Sequence, residues 1–218
     1  MIAIAFVAPG RVWLTAIAQT LVQEDALQRG DLILVEMTVL PDPQTLNFAA
    51  SLYRRGYASR IAVTRYVRSE RLIDAGIEIP RSLDKLLQIY WEDAGLDGSI
   101  VESVPIEVKD PVTANTARQV ADYCRTHRVA SLILVTPRFH SRRSTLSYAR
   151  YLAPLGIKVL SQPPQGGLRP DNWWRTKDGI LDVTQEYVKL LLYRAFVLPQ
   201  AHADQFAPTG AVAGAESS

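Results

Sequence analysis

Short runs of branched apolar residues recur along the chain, separated by segments whose apolar positions follow a helical period. Residues 32–35 and 132–135 are uninterrupted apolar runs with the length of strands buried on both faces. Shorter or less pure runs at 60–64, 100–104 and 158–160 predict three more strands. Between them, Val12, Ile17, Leu21, Val22 and Leu27 predict an amphipathic helix over 11–28, and the Gly30-Asp31 pair marks the turn after it. Leu46, Ala49, Ala50 and Tyr53 share one face of a helix over 43–57 that ends near Gly56. The stretch 65–98 reads as two helices around Ile79-Pro80, of which 82–94 is the clearer. Ala117, Val120, Ala121 and Cys124 form the inner face of a helix over 113–127, with Asp110-Pro111 as its start signal. A helix over 141–152 follows. The segment 171–196 is long and helical, with Leu181, Val188, Leu191 and Leu192 expected to pack back on the sheet. Strands alternating with helices at this spacing predict an α/β fold with a mainly parallel sheet, and right-handed crossovers make it a three-layer sandwich.

The 218 residues suffice for one large domain, and an apolar fraction of 48% with 21% charged residues is that of an ordinary globular protein. The predicted organisation is an amphipathic lead-in over 1–29, the α/β domain over 30–198, and a disordered tail over 199–218, rich in Ala, Gly, Pro and Ser. With 24 Lys+Arg against 22 Asp+Glu and no long basic run, no nucleic-acid partner is expected. Residues 1–22 carry one charge, Arg11. Pro9-Gly10-Arg11 interrupts the apolar run before it reaches spanning length, and no basic region precedes it as in a secretory signal. The expected location is therefore cytoplasmic; the alternative is membrane association through residues 1–22. Cys124 is the only cysteine, so an intrachain disulfide is excluded, and it reads as a small buried apolar residue. With only His127, His140 and His202 besides, and no metal-ligand order in Asp171, Asp178, Asp182 and Glu186, no bound metal is expected.

The candidate chemistry lies in the turn after the run 132–135, where Thr136, Arg138, His140, Arg142 and Arg143 precede or open the next helix. Arginines disfavour a helix start on dipole grounds, and three beside its positive end suit an anionic ligand. The plain alternative is a solvated helix start with surface ion pairs. His140 reads as a proton donor to a leaving group, a hydrogen-bond donor to a ligand, or a turn histidine holding a carbonyl. Simple binding ranks above catalysis because no Ser, Cys or Asp at an interpretable spacing identifies a nucleophile. Glu36, after the first strand, reads as a carboxylate in the same cleft or as a partner for Arg65. Trp173-Trp174 reads as a stacking platform or, more plainly, a packing anchor.

Across roughly 21–196 the chain resembles the SanA/ElyC/YdcF family, a bacterial domain of unknown function associated with the cell envelope. The resemblance is carried by Gly30-Asp31-Leu32-Ile33-Leu34-Val35, by Leu52-Tyr53-Arg54-Arg55-Gly56-Tyr57-Ala58-Ser59-Arg60-Ile61-Ala62-Val63, by Val135-Thr136 with His140 and Arg143, and by Trp173-Trp174 with Glu186-Tyr187-Val188-Lys189-Leu190. It implies a Rossmann-like fold with a site at the carboxyl ends of the strands. In the family pattern a Thr-rich turn precedes the fourth helix and a His-x-x-Arg follows a later strand. Thr113 matches the first, although Asn115 and Thr116 stand where a Glu-Asn pair is usual; His140 and Arg143 match the second.

The family's paired glycines after the first two strands are replaced by Met37-Thr38 and Arg65-Tyr66, which narrows or refills the pocket. Two functions follow. One is an envelope-related transferase or hydrolase binding a phosphorylated or nucleotide-like anion, with Arg138, Arg142 and Arg143 neutralising charge, His140 donating, and Glu36, Thr38, Thr113, Asn115 and Thr136 lining the site. The other is a degenerate member acting as a regulatory or scaffold protein through protein contacts. Neither identifies a cofactor or an oligomeric state.

Overall fold

In a computed structural model, residues 2–37, 42–67 and 83–199 are described. They form helix α1 (Ile2–Gln19), strand β1 (Leu32–Val35), helix α2 (Pro43–Arg54), strand β2 (Arg60–Val67), helix α3 (Leu83–Asp93), strand β3 (Val101–Glu107), helix α4 (Val112–Thr126), strand β4 (Ser131–Val135), helix α5 (Ser141–Leu152), strand β5 (Lys158–Ser161) and helix α6 (Lys177–Leu192). Thr38, the first of the two helices expected around Ile79-Pro80, and the tail from 200 onward lie outside the described residues.

The strands make one five-stranded sheet in the order β3-β2-β1-β4-β5, and every pairing is parallel. The fold is thus the three-layer, Rossmann-like α/β sandwich. Side-chain alternation along each strand divides the core between the faces. Ile33 and Val35 of β1 meet Leu46 and Leu52 of α2 and Leu87 and Trp91 of α3 on one side. Leu32 and Leu34 meet Ala117, Val120 and Cys124 of α4 and Tyr148 and Leu152 of α5 on the other. Burial of each such leucine contributes about 1.5–3 kcal/mol. The chain first adds strands on one side of β1 and then crosses, through α4, to place β4 on the other. The order reverses between β1 and β4, where a crevice opens at the carboxyl ends.

Three expectations are corrected. The N-terminal helix spans Ile2–Gln19, not 11–28. Beyond it the chain runs along the free edge of β5: the Asp25 amide donates to the Ser161 carbonyl (3.0 Å) and the Ser161 amide to the Asp25 carboxylate (2.8 Å). Polar partners on an open strand edge outcompete helix continuation, and the edge is covered. Strand β2 extends to Val67 because Arg65, Tyr66 and Val67 align with Pro105, Ile106 and Glu107 of β3, a pairing no local pattern shows.

The third correction concerns α6, which starts at Lys177 after a separate turn, Trp173–Arg175, and is capped by the Thr176 hydroxyl accepting from the Gly179 amide. Gly179 is required there, because a Cβ would lie 2.2 Å from the Trp173 carbonyl oxygen. Leu181, Val188, Leu191 and Leu192 are exposed, and Val183, Glu186 and Leu190 face inward. Val183 and Leu190 pack with Ala18, Leu21 and Phe139. The helix is rotated to bury Glu186, whose partner is described below. Trp173 is an anchor in this cluster, its indole N–H donating to the Leu14 carbonyl (3.0 Å). Among the described residues, no helix is long and apolar enough to cross a membrane.

Candidate functional site

Parallel β1 and β4 end side by side, Val35 aligned with Val135, so the residues just beyond them converge. Glu36 follows β1. The turn Arg138–His140 follows β4 and runs directly into α5, which carries Arg143 and Ser144 on its inward face. Thr113 sits in the first turn of α4, and Glu186 reaches in from α6.

Arg143 organises these groups. Its Nε and Nη2 donate to the two oxygens of Glu186, each at 2.9 Å, in the bidentate geometry that suits guanidinium and carboxylate. Nη1 donates to the Thr113 hydroxyl, and Nη2 lies 2.6 Å from Nδ1 of His140. The guanidinium carbon stands 5.0 Å from the ring centroid of Tyr193, whose hydroxyl accepts from the Thr113 amide (3.0 Å). On its far side His140 presents Nε2 to Glu36 (3.5 Å), and Glu36 also accepts from the Ser144 hydroxyl. Arg143 and Glu36 are nearly inaccessible, with side chains 6% and 4% exposed.

Two carboxylates against one guanidinium leave this buried group with one negative charge, which a protonated imidazole cancels. Burial and the Arg143 charge push His140 down, but Glu36 and Glu186 together lift it above its ordinary value. Because Arg143 can only donate, Nδ1 of a neutral His140 accepts from it and carries no proton; on protonation, Glu186 (3.3 Å) is the acceptor for Nδ1–H. Burial would raise Glu36, but His140, Ser144 and Arg143 hold it below the usual carboxylate range. Glu186 likewise lies far below that range, His140 and Arg143 outweighing its burial. Tyr66, beside Glu36, is pushed up to about 12 by burial and the Glu36 charge.

A cavity of about 510 Å³ opens beside this cluster. His140 and Glu186 form part of its wall, with Arg138 from the turn after β4, Pro164 and Gly167 from the loop after β5, and Asp182 and Lys189 from α6. Gly167 has φ +73°, a conformation that favours glycine, whereas a Cβ there would displace only the flexible end of the Gln44 side chain.

The predicted site residues divide. Glu36, Thr113, His140 and Arg143 are brought together. Glu36 pairs with His140 and Ser144, whereas Arg65 turns outward to Asp84 (3.3 Å) and Ser103 (3.2 Å). Arg138 reaches the cavity, but its Nε and Nη2 donate to the Pro164 carbonyl (3.1 and 2.7 Å) and Nη1 lies 3.6 Å from Glu24. Arg142 turns away, its Nη2 donating to the Val22 carbonyl (3.0 Å) to hold the N-terminal segment. Asn115 ties α4 to β3 through the Glu107 carbonyl (2.6 Å). The Thr136 hydroxyl is buried without a hydrogen-bond partner among the described residues. The three arginines therefore do not converge on one anion. Sequence reasoning missed Glu186, Ser144, Tyr193, Asp182 and Lys189 as members of the site. Glu186 had one signal: an acidic residue three after Val183 and four before Leu190 lies on an apolar helix face, where a charge needs a partner.

Among the described residues, no group of His, Cys, Asp and Glu is arranged to hold a metal ion. No protein-family model matches the chain, and no curated protein matches it. Among solved structures it is similar to one described as "Crystal structure of Aureusimine biosynthetic cluster reductase domain", at 16% identity and a TM-score of 0.30, over 58% of this chain and 40% of that one.

Proposed function

We propose that the protein binds a small anionic molecule, phosphorylated or nucleotide-like, in the cavity at the carboxyl ends of β1, β4 and β5. The observation that supports this most is the cavity of about 510 Å³ at the reversal of strand order, with Arg138, Lys189 and His140 on its wall. In this reading the ligand takes over, as a hydrogen bond or a proton, one of the two N–H groups that a protonated His140 otherwise directs at Glu36 (3.5 Å) and Glu186 (3.3 Å). Arg143 and Glu186 act through it, as positioning residues that fix the ring. A lifted imidazole beside a bound phosphoryl group suits a transferase or hydrolase, with His140 as general acid. The proposal includes membership of the SanA/ElyC/YdcF family, a role in the bacterial envelope, and a cytoplasmic location with association through residues 1–22 as the alternative.

The test is a thermal-shift titration with inorganic phosphate, nucleoside phosphates and polyprenyl phosphates, on the wild type and on Arg138→Ala and His140→Ala. At ligand a hundredfold over Kd, mass action stabilises by about 2.7 kcal/mol, which is about 5–11 °C in Tm for a chain of this size. A shift present in the wild type and reduced in both variants supports the proposal. The absence of any shift across all these anions refutes it.

One observation favours the second reading, a degenerate regulatory or scaffold protein. A cavity of only about 10 Å³ is lined by Glu36 and Met37, Met37 is buried in the core, and the Glu36 charge acts on Tyr66. Met37, one of the residues that replace the family glycines, thus packs into the core where a ligand would approach the backbone. Under this reading none of the anions shifts Tm.

A further inference from the structure

Independently of the anion-binding reading, we infer that the outer faces of α1 and α6 together form a docking surface for an anionic lipid bilayer. Association through residues 1–22 alone would leave α6 out of the contact; this surface includes it.

Exposed apolar side chains scattered singly are ordinary, whereas contiguous ones mark an interaction surface. Of the twelve large apolar side chains exposed among the described residues, nine lie on α1, on α6 or on the turn Tyr193–Val197 that continues α6. Ile180, Leu181, Val188, Leu191 and Leu192 recur at helical spacing along the outside of α6, away from the buried Val183, Glu186 and Leu190, and Phe196 lies just beyond them. Trp13, 71% exposed, and Ile17 stand one turn apart on α1. The Tyr187 hydroxyl donates to the Ile17 carbonyl, and Tyr187 lies two turns after Ile180 and one before Leu191, so the two faces adjoin. Leu14, Ala18 and the Trp173 indole fix the second half of α1 to the protein, so it presents one side outward and lies along the surface it meets.

The charges around this face select the occupant. Arg11 is the only charged residue of α1. Arg175 and Lys177, around the start of α6, and Arg194, just past its end, are exposed. Arg11 and Arg175 border one groove with Val12 and Trp174, and Asp171 in that groove is paired with Arg169 (3.0 Å). Asp182 and Glu186 lie on a different flank of α6, toward the cavity. An outer face of Trp and Leu with a basic rim is complementary to anionic headgroups over hydrocarbon. A second copy of this chain fits less well. In a two-fold contact the face meets itself, so the basic rim of one copy meets that of the other whichever way the helices run. Residues 200–218 hold only Phe206 and Val212 as large apolar side chains, too few to cover nine.

The test is flotation of the full chain with vesicles of phosphatidylcholine, with and without phosphatidylglycerol, for the wild type, Trp13→Ser, Leu191→Ser and Lys177→Gln. The wild type is expected to float with the phosphatidylglycerol vesicles and to be released by salt. Trp13→Ser and Leu191→Ser should each lower partitioning by about tenfold. Both should leave Tm within about 2 °C, because these side chains are already exposed to solvent. Lys177→Gln should cost about fivefold, and only on the anionic vesicles. A wild type that floats with neither vesicle overturns the inference, as does a dimer that Leu191→Ser dissociates in sedimentation without any vesicle binding. Loss of binding in Trp13→Ser with none in Leu191→Ser overturns the part given to α6 and leaves association through residues 1–22. Equal binding to both vesicles overturns the assignment to anionic lipid. Trp13, Lys177 and Leu191 are not on the cavity wall, so the thermal response to soluble anions tests the anion site separately.

Discussion

Replacing Arg143 by methionine should be among the most destabilising single changes available in this chain. Arg143 makes a bidentate pair with Glu186, with both distances 2.9 Å and side chains only 6% and 10% exposed. Removing the guanidinium leaves the Glu186 carboxylate buried with His140 and a half-exposed Lys189, and deprives the Thr113 hydroxyl of the donor it accepts from. Breaking a buried pair from one side costs about 3–5 kcal/mol, mostly the penalty of the charge left behind. At about 2–4 °C per kcal/mol, Tm should fall by roughly 6–20 °C. Scanning calorimetry of Arg143→Met, Glu186→Leu and the double variant separates the pair from its packing. The double variant should lose less than the sum of the two singles, because neither charge is then stranded. A comparison within the same molecule sharpens the argument. Arg60 and Glu102 are closer, at 2.7 Å, but their side chains are 30% and 34% exposed, so Arg60→Met should cost only about 1 kcal/mol or less. A fall below about 2 °C for Arg143→Met, or strict additivity in the double variant, would refute the view that burial sets the size of the effect.

Two further outcomes follow from the same geometry. Stability should peak in mildly acidic solution: Glu36 and Glu186 are held below the ordinary 4.5, so their contribution is present above that pH and lost as pH falls through their folded values, whereas His140 is lifted above 6.5, so its contribution is complete below 6.5 and lost as pH rises through its folded value. Urea midpoints measured across pH should therefore fall on both sides, and His140→Gln should flatten the alkaline side and also weaken the acid limb, because His140 helps hold Glu36 and Glu186 down; an alkaline limb unchanged in that variant would contradict the assignment. Cys124 is fully buried and its thiol is pushed up to about 12 by burial, so alkylating reagents should label it only after unfolding, and rapid labelling of the folded protein would show that the α4 face opens.

Local pattern was enough to determine the elements that carry the site. The apolar run of β1, the helix Ser141–Leu152 and the inner face of α4 follow from side-chain period alone, because those segments bury what their own sequence makes apolar. The sequence likewise marked Glu36, His140 and Arg143, since residues just past parallel strands end where a crevice forms. It could not show which charges meet. Arg143 finds Glu186 43 positions later, and Arg138 and Arg142, its near neighbours in the chain, turn to the Pro164 and Val22 carbonyls instead. Nor could it orient α6, where a helical spacing of leucines pointed to one face and the structure buries another. Apolar area is non-directional and can be satisfied on several faces, whereas a buried carboxylate has few acceptable partners. The tertiary structure therefore decided the rotation of α6, and with it the wall of the cavity on which Asp182, Glu186 and Lys189 stand.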